Sequence, residues 1–126
     1  MKKAKDISLK GLGSSFRAAL RGLWTMLRSQ CHAWIHLTAT LAVCITGASL
    51  GVTQTEWCWL IIAMTSVWMA EALNTAFEFL CDVASPEFHP LVENAKDVAA
   101  CAVLICAIGA SIIGLIIFLP YFRGMI

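Results

Sequence analysis

Four polar side chains interrupt an apolar stretch of this sequence at offsets that a helix would bring into line: Glu71, Asn74, Glu78 and Asp82. With Glu71 as zero and about 100° per residue, the other three fall at about −60°, −20° and +20°, and Thr75 at about +40°. The stripe is roughly 16 Å long at about 1.5 Å rise per residue. A charge at the centre of a bilayer costs about 2.5 to 3.5 kcal/mol on insertion scales, so two glutamates on one such face point to a function. The structural alternative is a polar seam that fixes helix register, for which a single Asn is enough. Carboxylates at this density repel unless a divalent cation or a proton intervenes. Oxygen ligands favour Mg²⁺, which keeps waters and takes one or two carboxylates together with substrate phosphates. Lys96 and Asp97 open the next apolar run. If the two runs pack as antiparallel helices, this pair lies beside Glu78 and Asp82, where a basic group suits a phosphate. The pattern suggests phosphoryl chemistry at a membrane surface; proton or cation translocation by the same acids is the competing chemistry.

The rest of the chain must position that stripe. Of its 126 residues, 60% are hydrophobic and 13% charged, with a mean hydropathy of +0.79. That is too little polar material to cover a soluble domain, so the bilayer must be part of the solvent. The length allows one domain, residues 1–126, and excludes a separate soluble nucleotide-binding module. Seven of the nine Lys and Arg residues (Lys2, Lys3, Lys5, Lys10, Arg17, Arg21, Arg28) precede the first apolar run. They read as a cytoplasmic N-terminus drawn to anionic headgroups. A polybasic nucleic-acid arm is the other reading, with nothing else in the chain to support it, and no nucleic-acid partner is expected. The six cysteines show no CxxC pair or metal-type spacing and behave as small apolar residues. Gly11-Leu-Gly13-Ser-Ser lacks the Lys-Ser/Thr of a P-loop and reads as a lead-in to a helix.

The expected fold is an all-α membrane protein with three transmembrane helices and an N-terminal amphipathic surface helix. Residues about 8–29 place Phe16, Leu20, Leu23, Trp24 and Leu27 on one side and Arg17, Arg21 and Arg28 on the other, a pattern suited to the membrane interface. Spans follow at about 33–51, 57–80 and 96–118. The turn Val52 to Glu56 has no Lys or Arg, and Trp57 and Trp59 mark an interface. The polar segment Asp82 to Asn94 carries Ser85-Pro86 and His89-Pro90 as helix breakers, and the third span ends at Pro120. His89 has two readings, a nucleotide contact and a turn residue. The small residues Ala95, Ala99, Ala100, Ala102, Gly109 and Gly114 read as a close-packing face. The topology puts the N-terminus in the cytoplasm and the C-terminus outside, in the inner (cytoplasmic) membrane. Three spans make a thin bundle, so self-association is expected.

The run Glu71-Ala-Leu-Asn74-Thr75-Ala-Phe-Glu78-x-x-x-Asp82 is followed by Ser85-Pro86-Glu87-Phe88-His89-Pro90 and then Ala95-Lys96-Asp97-Val-Ala-Ala. Together they resemble the prokaryotic diacylglycerol kinase family, which includes the undecaprenol kinases. The resemblance runs from Phe16 to Pro120. It implies a homotrimer with active sites between subunits at the cytoplasmic interface, moving the γ-phosphate of ATP to a membrane lipid alcohol. It implies that Glu71 is the general base, that Glu78 binds the metal of MgATP, and that Asn74 supports phosphate and substrate placement. The same resemblance implies Lys96 on the nucleotide phosphates, Asp97 on the nucleotide side or as support, and Asp82, the closing acid of the motif, at the nucleotide. Gln30 stands where the family places a second metal-binding glutamate, and Trp34 where members often carry an arginine. His32 and His36, four apart, read as interfacial polar residues. The segment Ser85 to Val103 and the ending before Pro120 look more like the undecaprenol-kinase branch. Besides the kinase, the residues leave open a catalytically weak homologue that serves as a scaffold, prompted by Gln30, and a small transporter using Glu71 and Glu78.

Overall fold

A computed structural model describes residues 9–124 as four helices: α1 (Leu9–Ser29), α2 (Cys31–Leu50), α3 (Gln54–Ala84) and α4 (Pro90–Arg123). The basic start at Lys2, Lys3 and Lys5 lies outside the described residues. Helices α2, α3 and α4 are each long and apolar enough to cross a bilayer.

Local chemistry explains where each helix begins and ends. Gln30, extended at φ −119° and ψ 117°, is the one residue between α1 and α2. Gly51 closes α2 in the left-handed conformation at φ +65°, and Val52 N–H returns to the Gly47 carbonyl at 3.2 Å. That closure satisfies terminal carbonyls and needs a residue without a Cβ. Thr53 caps α3 in a reciprocal box with Glu56. At the other end, Pro90 occupies the first turn of α4, where its missing N–H loses nothing, and His89 Nδ1 accepts from Leu91 N–H at 3.2 Å.

Two expectations need correction here. Pro90, expected to break a helix, starts one, so α4 is already helical at Glu93 and Lys96. Pro120 does not end the helix, which runs on to Arg123. A proline near a helix end forfeits a single backbone bond while its fixed φ remains helical. His89 is the N-cap of α4, which accords with the turn reading.

The helices pair as antiparallel neighbours. Side chains at 30 and 78, 36 and 71, and 40 and 68 meet between α2 and α3. Lys96 meets Asp82 at one end of the α3–α4 pair, and Tyr121 meets Glu56 at the other. Helix α3 lies closest to α4 and carries most of the buried residues, Leu60, Ala63, Val67, Glu71, Asn74, Thr75 and Cys81. These recur at three and four residues, so they share one face. Its N-terminal half packs Leu60 with Val52 and Ile117 in the apolar core. Its C-terminal half continues the same face with polar residues.

Close approach occurs at Gly47, where an added Cβ would sit 2.9 Å from the Trp57 ring. Gly109 and Gly114, expected at a packing face, have nothing within 4 Å of an added Cβ. Gly114 instead lines a groove shared with α2 and α3. In α1, Leu12, Phe16, Leu20, Leu23 and Trp24 are exposed, and the Arg28 guanidinium lies 5.8 Å from the Trp24 ring centroid.

Candidate active site

The acidic stripe of α3 forms as a helical face. Glu71 is 2% exposed and Asn74 and Thr75 are buried beside it, while Glu78 is half-buried and Asp82 exposed. Polarity and solvent access therefore increase together toward the C-terminal end of the helix. Thr75 Oγ1 donates to the Glu71 carbonyl at 2.9 Å, a local backbone bond. That use of the hydroxyl leaves it unavailable to the Glu71 carboxylate.

The two oxygens of Glu71 have different surroundings. Oε2 faces His36 Nε2 of α2 at 3.6 Å, and Oε1 is buried without a hydrogen-bond partner. An unpaired carboxylate oxygen in such a place is costly, since burying a charge without compensation disfavours the fold. Spacing alone groups His32 and His36 as interfacial residues. The structure separates them: His32 is exposed, while the His36 side chain is 15% exposed and turned to Glu71. The i, i+4 spacing does not tell which histidine meets the acid, because that depends on the register of α2 against α3.

One helical turn further in, Asn74 Nδ2 donates to Glu78 Oε1 at 3.2 Å. Gln30 Nε2 donates to Glu78 Oε2. Both oxygens of Glu78 are thus held by amides, one from its own helix and one from the junction of α1 and α2. Asn74 Oδ1 is buried without a partner. Gln30 reaches this point because it is the one non-helical residue at the junction, so its side chain projects across to α3. Among the described residues no group of three or more His, Cys, Asp and Glu side chains stands at metal-binding distance. The oxygen donors that come together are the Glu78 carboxylate and the amide carbonyls of Asn74 and Gln30.

Lys96 Nζ pairs with Asp82 Oδ1 at 2.5 Å across the α3–α4 turn, and both are partly or fully open to solvent. Asp97, its neighbour, is exposed. The structure therefore brings together Gln30, Asn74 and Glu78, joins Lys96 to Asp82, and leaves Glu71 deeper with His36. Trp68, on the same helix, donates from Nε1 to Thr40 Oγ1 at 2.9 Å and ties α2 to α3 one turn before Glu71. A groove of about 800 Å³ opens between α1, α2 and α3, with Leu23, Met26, Leu37, Trp68, Ala72 and Phe79 in its walls.

The chain has relatives of known type. A family model described as prokaryotic diacylglycerol kinase matches residues 17–118. An undecaprenol kinase of Bacillus subtilis is 39% identical over 106 residues, covering 84% of this chain and 86% of that one. A diacylglycerol kinase of Synechocystis sp. is 39% identical over 109 residues, 84% of this chain and 61% of that longer protein. With a matched segment that runs from within α1 to near the end of α4 and holds the whole acidic stripe, the chain belongs to the prokaryotic diacylglycerol kinase family and is an enzyme of the lipid-kinase class.

Proposed function

We propose that this chain is an ATP-dependent lipid kinase that phosphorylates the hydroxyl of undecaprenol or diacylglycerol at the cytoplasmic face of the inner membrane. The observation that carries this reading is the buried Glu71 carboxylate, with one oxygen beside His36 and the other unpartnered. A lipid hydroxyl at Oε1 supplies the missing hydrogen bond and the proton that a general base must take. In the step itself the hydroxyl oxygen forms a bond to the γ-phosphorus as its proton passes to Glu71. The bond to the bridging oxygen breaks and its electron pair leaves on ADP. Phosphoryl transfer depends mostly on positioning and charge neutralisation, which suits a site with few reactive groups.

The residues present fit a magnesium ion. Glu78 offers a carboxylate, Asn74 Oδ1 is a buried oxygen without a partner, and rotating the Gln30 amide would present its carbonyl in place of its N–H. All three are hard oxygen donors. When bound, Mg²⁺ would neutralise charge on the ATP phosphates. Lys96, partly exposed beside Asp82, is positioned to add a positive charge for those phosphates, with Asp82 and Asp97 on the nucleotide side.

The chain works as a single membrane lipid-kinase domain, residues 1–126, assembled as a homotrimer. Apolar side chains on the outward faces of α2, α3 and α4, such as Ile45, Leu73 and Ile105, are available to lipid and to neighbouring subunits. The N-terminus lies in the cytoplasm and the C-terminus outside, and α1 lies in the interface with its arginines at the headgroups. A second reading, a catalytically weak homologue acting as a scaffold, is favoured by one observation. Gln30 holds Glu78 with a neutral amide where a carboxylate would bind metal more tightly. Labelled ATP with Mg²⁺ and either lipid in mixed micelles separates the two. Labelled lipid phosphate supports the kinase, and a folded protein that labels neither acceptor supports the scaffold.

A further inference from the structure

We propose that His36 is a positioning residue for the kinase step: it holds one oxygen of Glu71 so that the other faces the lipid hydroxyl. The inference rests on the kinase reading above and adds a residue from a different helix to its machinery.

The starting point is the freedom of a glutamate side chain. Its terminal torsion is broad and roughly two-fold, so the backbone of α3 does not fix the carboxylate plane. A base that rotates spends little time aligned with the hydroxyl it must deprotonate. Glu71 has one neighbour placed to restrain that torsion among the hydrogen bonds and ion pairs of the described residues, and it is His36 Nε2, at 3.6 Å from Oε2. Oε1 has no partner, and Thr75 is already committed to the Glu71 carbonyl. The asymmetry assigns the oxygens: Oε2 to the imidazole, Oε1 to the substrate. At 3.6 Å the two atoms face each other beyond hydrogen-bond length, and a small rotation of either side chain brings them within it.

The histidine is itself held. Thr40, one turn along α2, accepts the Trp68 indole N–H, so α2 cannot slide against α3 without breaking that bond. Gln30, at the start of α2, is tied to Glu78. His36 lies between these two ties and faces Glu71 between Trp68 and Glu78. During transfer the imidazole keeps its proton. The lipid proton goes to Oε1, and in the transferring complex His36 Nε2–H is the donor to Oε2.

The test compares wild type, His36→Leu, His36→Gln and His32→Leu in mixed micelles with MgATP and the accepted lipid. Gln carries its Nε2 the same number of bonds from Cβ as His, so it can restore the donor. The expected result is a fall in kcat of about tenfold to a hundredfold for His36→Leu, the scale of a misplaced catalytic group. The KM for ATP stays within about twofold, because nucleotide contacts lie further in. His36→Gln recovers most of the loss, and His32→Leu, altered at an exposed position, matches wild type. A His36→Leu protein with wild-type kcat overturns the inference, as does a folded His36→Gln protein no better than His36→Leu. If His36→Leu does not fold, His36→Asn, whose donor is one bond shorter, takes its place; equal kcat for Asn and Gln then overturns it. An inactive wild type would instead count against the kinase reading itself.

Discussion

Replacing Gln30 by glutamate should turn a hydrogen-bonded pair into a metal-dependent one. In the native chain the Gln30 amide donates to Glu78 Oε2 at the half-buried junction of α1 and α2 with α3. Gln30→Glu removes that donor, and a hydrogen bond to a charged group contributes about 1.5 to 3 kcal/mol. It also sets two carboxylates side by side. At about 4 Å and an effective dielectric of about 20, their repulsion approaches about 4 kcal/mol, reduced if either rotates away or takes up a proton. The variant in EDTA should therefore be about 2 to 4 kcal/mol less stable than the native protein. Two facing carboxylates are also a better site for a divalent cation. At free Mg²⁺ about a hundredfold above its dissociation constant, binding returns about 2.7 kcal/mol. Thermal unfolding of both proteins in detergent, titrated with Mg²⁺ from EDTA, reads both effects. The variant should unfold earlier in EDTA and gain more from Mg²⁺, and its kinase activity should saturate at lower Mg²⁺. Equal unfolding temperatures in EDTA, together with an unchanged response to Mg²⁺, would refute the reasoning.

Three further substitutions probe other parts of the account. Lys96→Met should raise the KM for ATP about tenfold, about 1.4 kcal/mol for one lost phosphate contact, as read by initial rates. It should leave the unfolding temperature little changed, because the pair with Asp82 is open to solvent. Tyr121→Phe removes the 2.6 Å hydrogen bond to Glu56 at the far end of α3. It should lower the unfolding temperature while leaving kcat unchanged, since Glu56 lies about 22 Å along the helix from Glu71. Gly47→Ala should destabilise by about 1 to 3 kcal/mol in the same measurement, because the new methyl meets the Trp57 ring at 2.9 Å.

Much of this architecture is legible in the sequence because helical periodicity and apolar length are strong signals. Residue spacing alone puts the stripe from Glu71 to Asp82 on one helical face, and that face continues the buried row of Leu60, Ala63 and Val67. Antiparallel packing across a short turn likewise brings Lys96 near Asp82. The features that spacing does not carry depend on register or on chemistry at helix ends. Which of His32 and His36 meets Glu71 is set by how α2 slides on α3. The Thr53–Glu56 capping box is present as a Thr-x-x-Glu signal, hidden in a segment whose composition reads as a plain turn. Pro90 has the mark of a breaker because proline ends helices, although it also starts them. The glycines of α4 carry a packing signal but have nothing within 4 Å of an added Cβ, whereas Gly47 acquires a tight neighbour from Trp57 across the turn between α2 and α3.

Glu71 is the point on which the account turns. The most direct measurement is transfer of labelled phosphate from MgATP to undecaprenol and to diacylglycerol, by purified native protein and by Glu71→Gln side by side. Labelled lipid phosphate should form with at least one acceptor, and the folded variant should be slower by about a hundredfold or more, the contribution of a general base. Labelling by Glu71→Gln at the native rate, or no labelling of either lipid by the native protein, would contradict it.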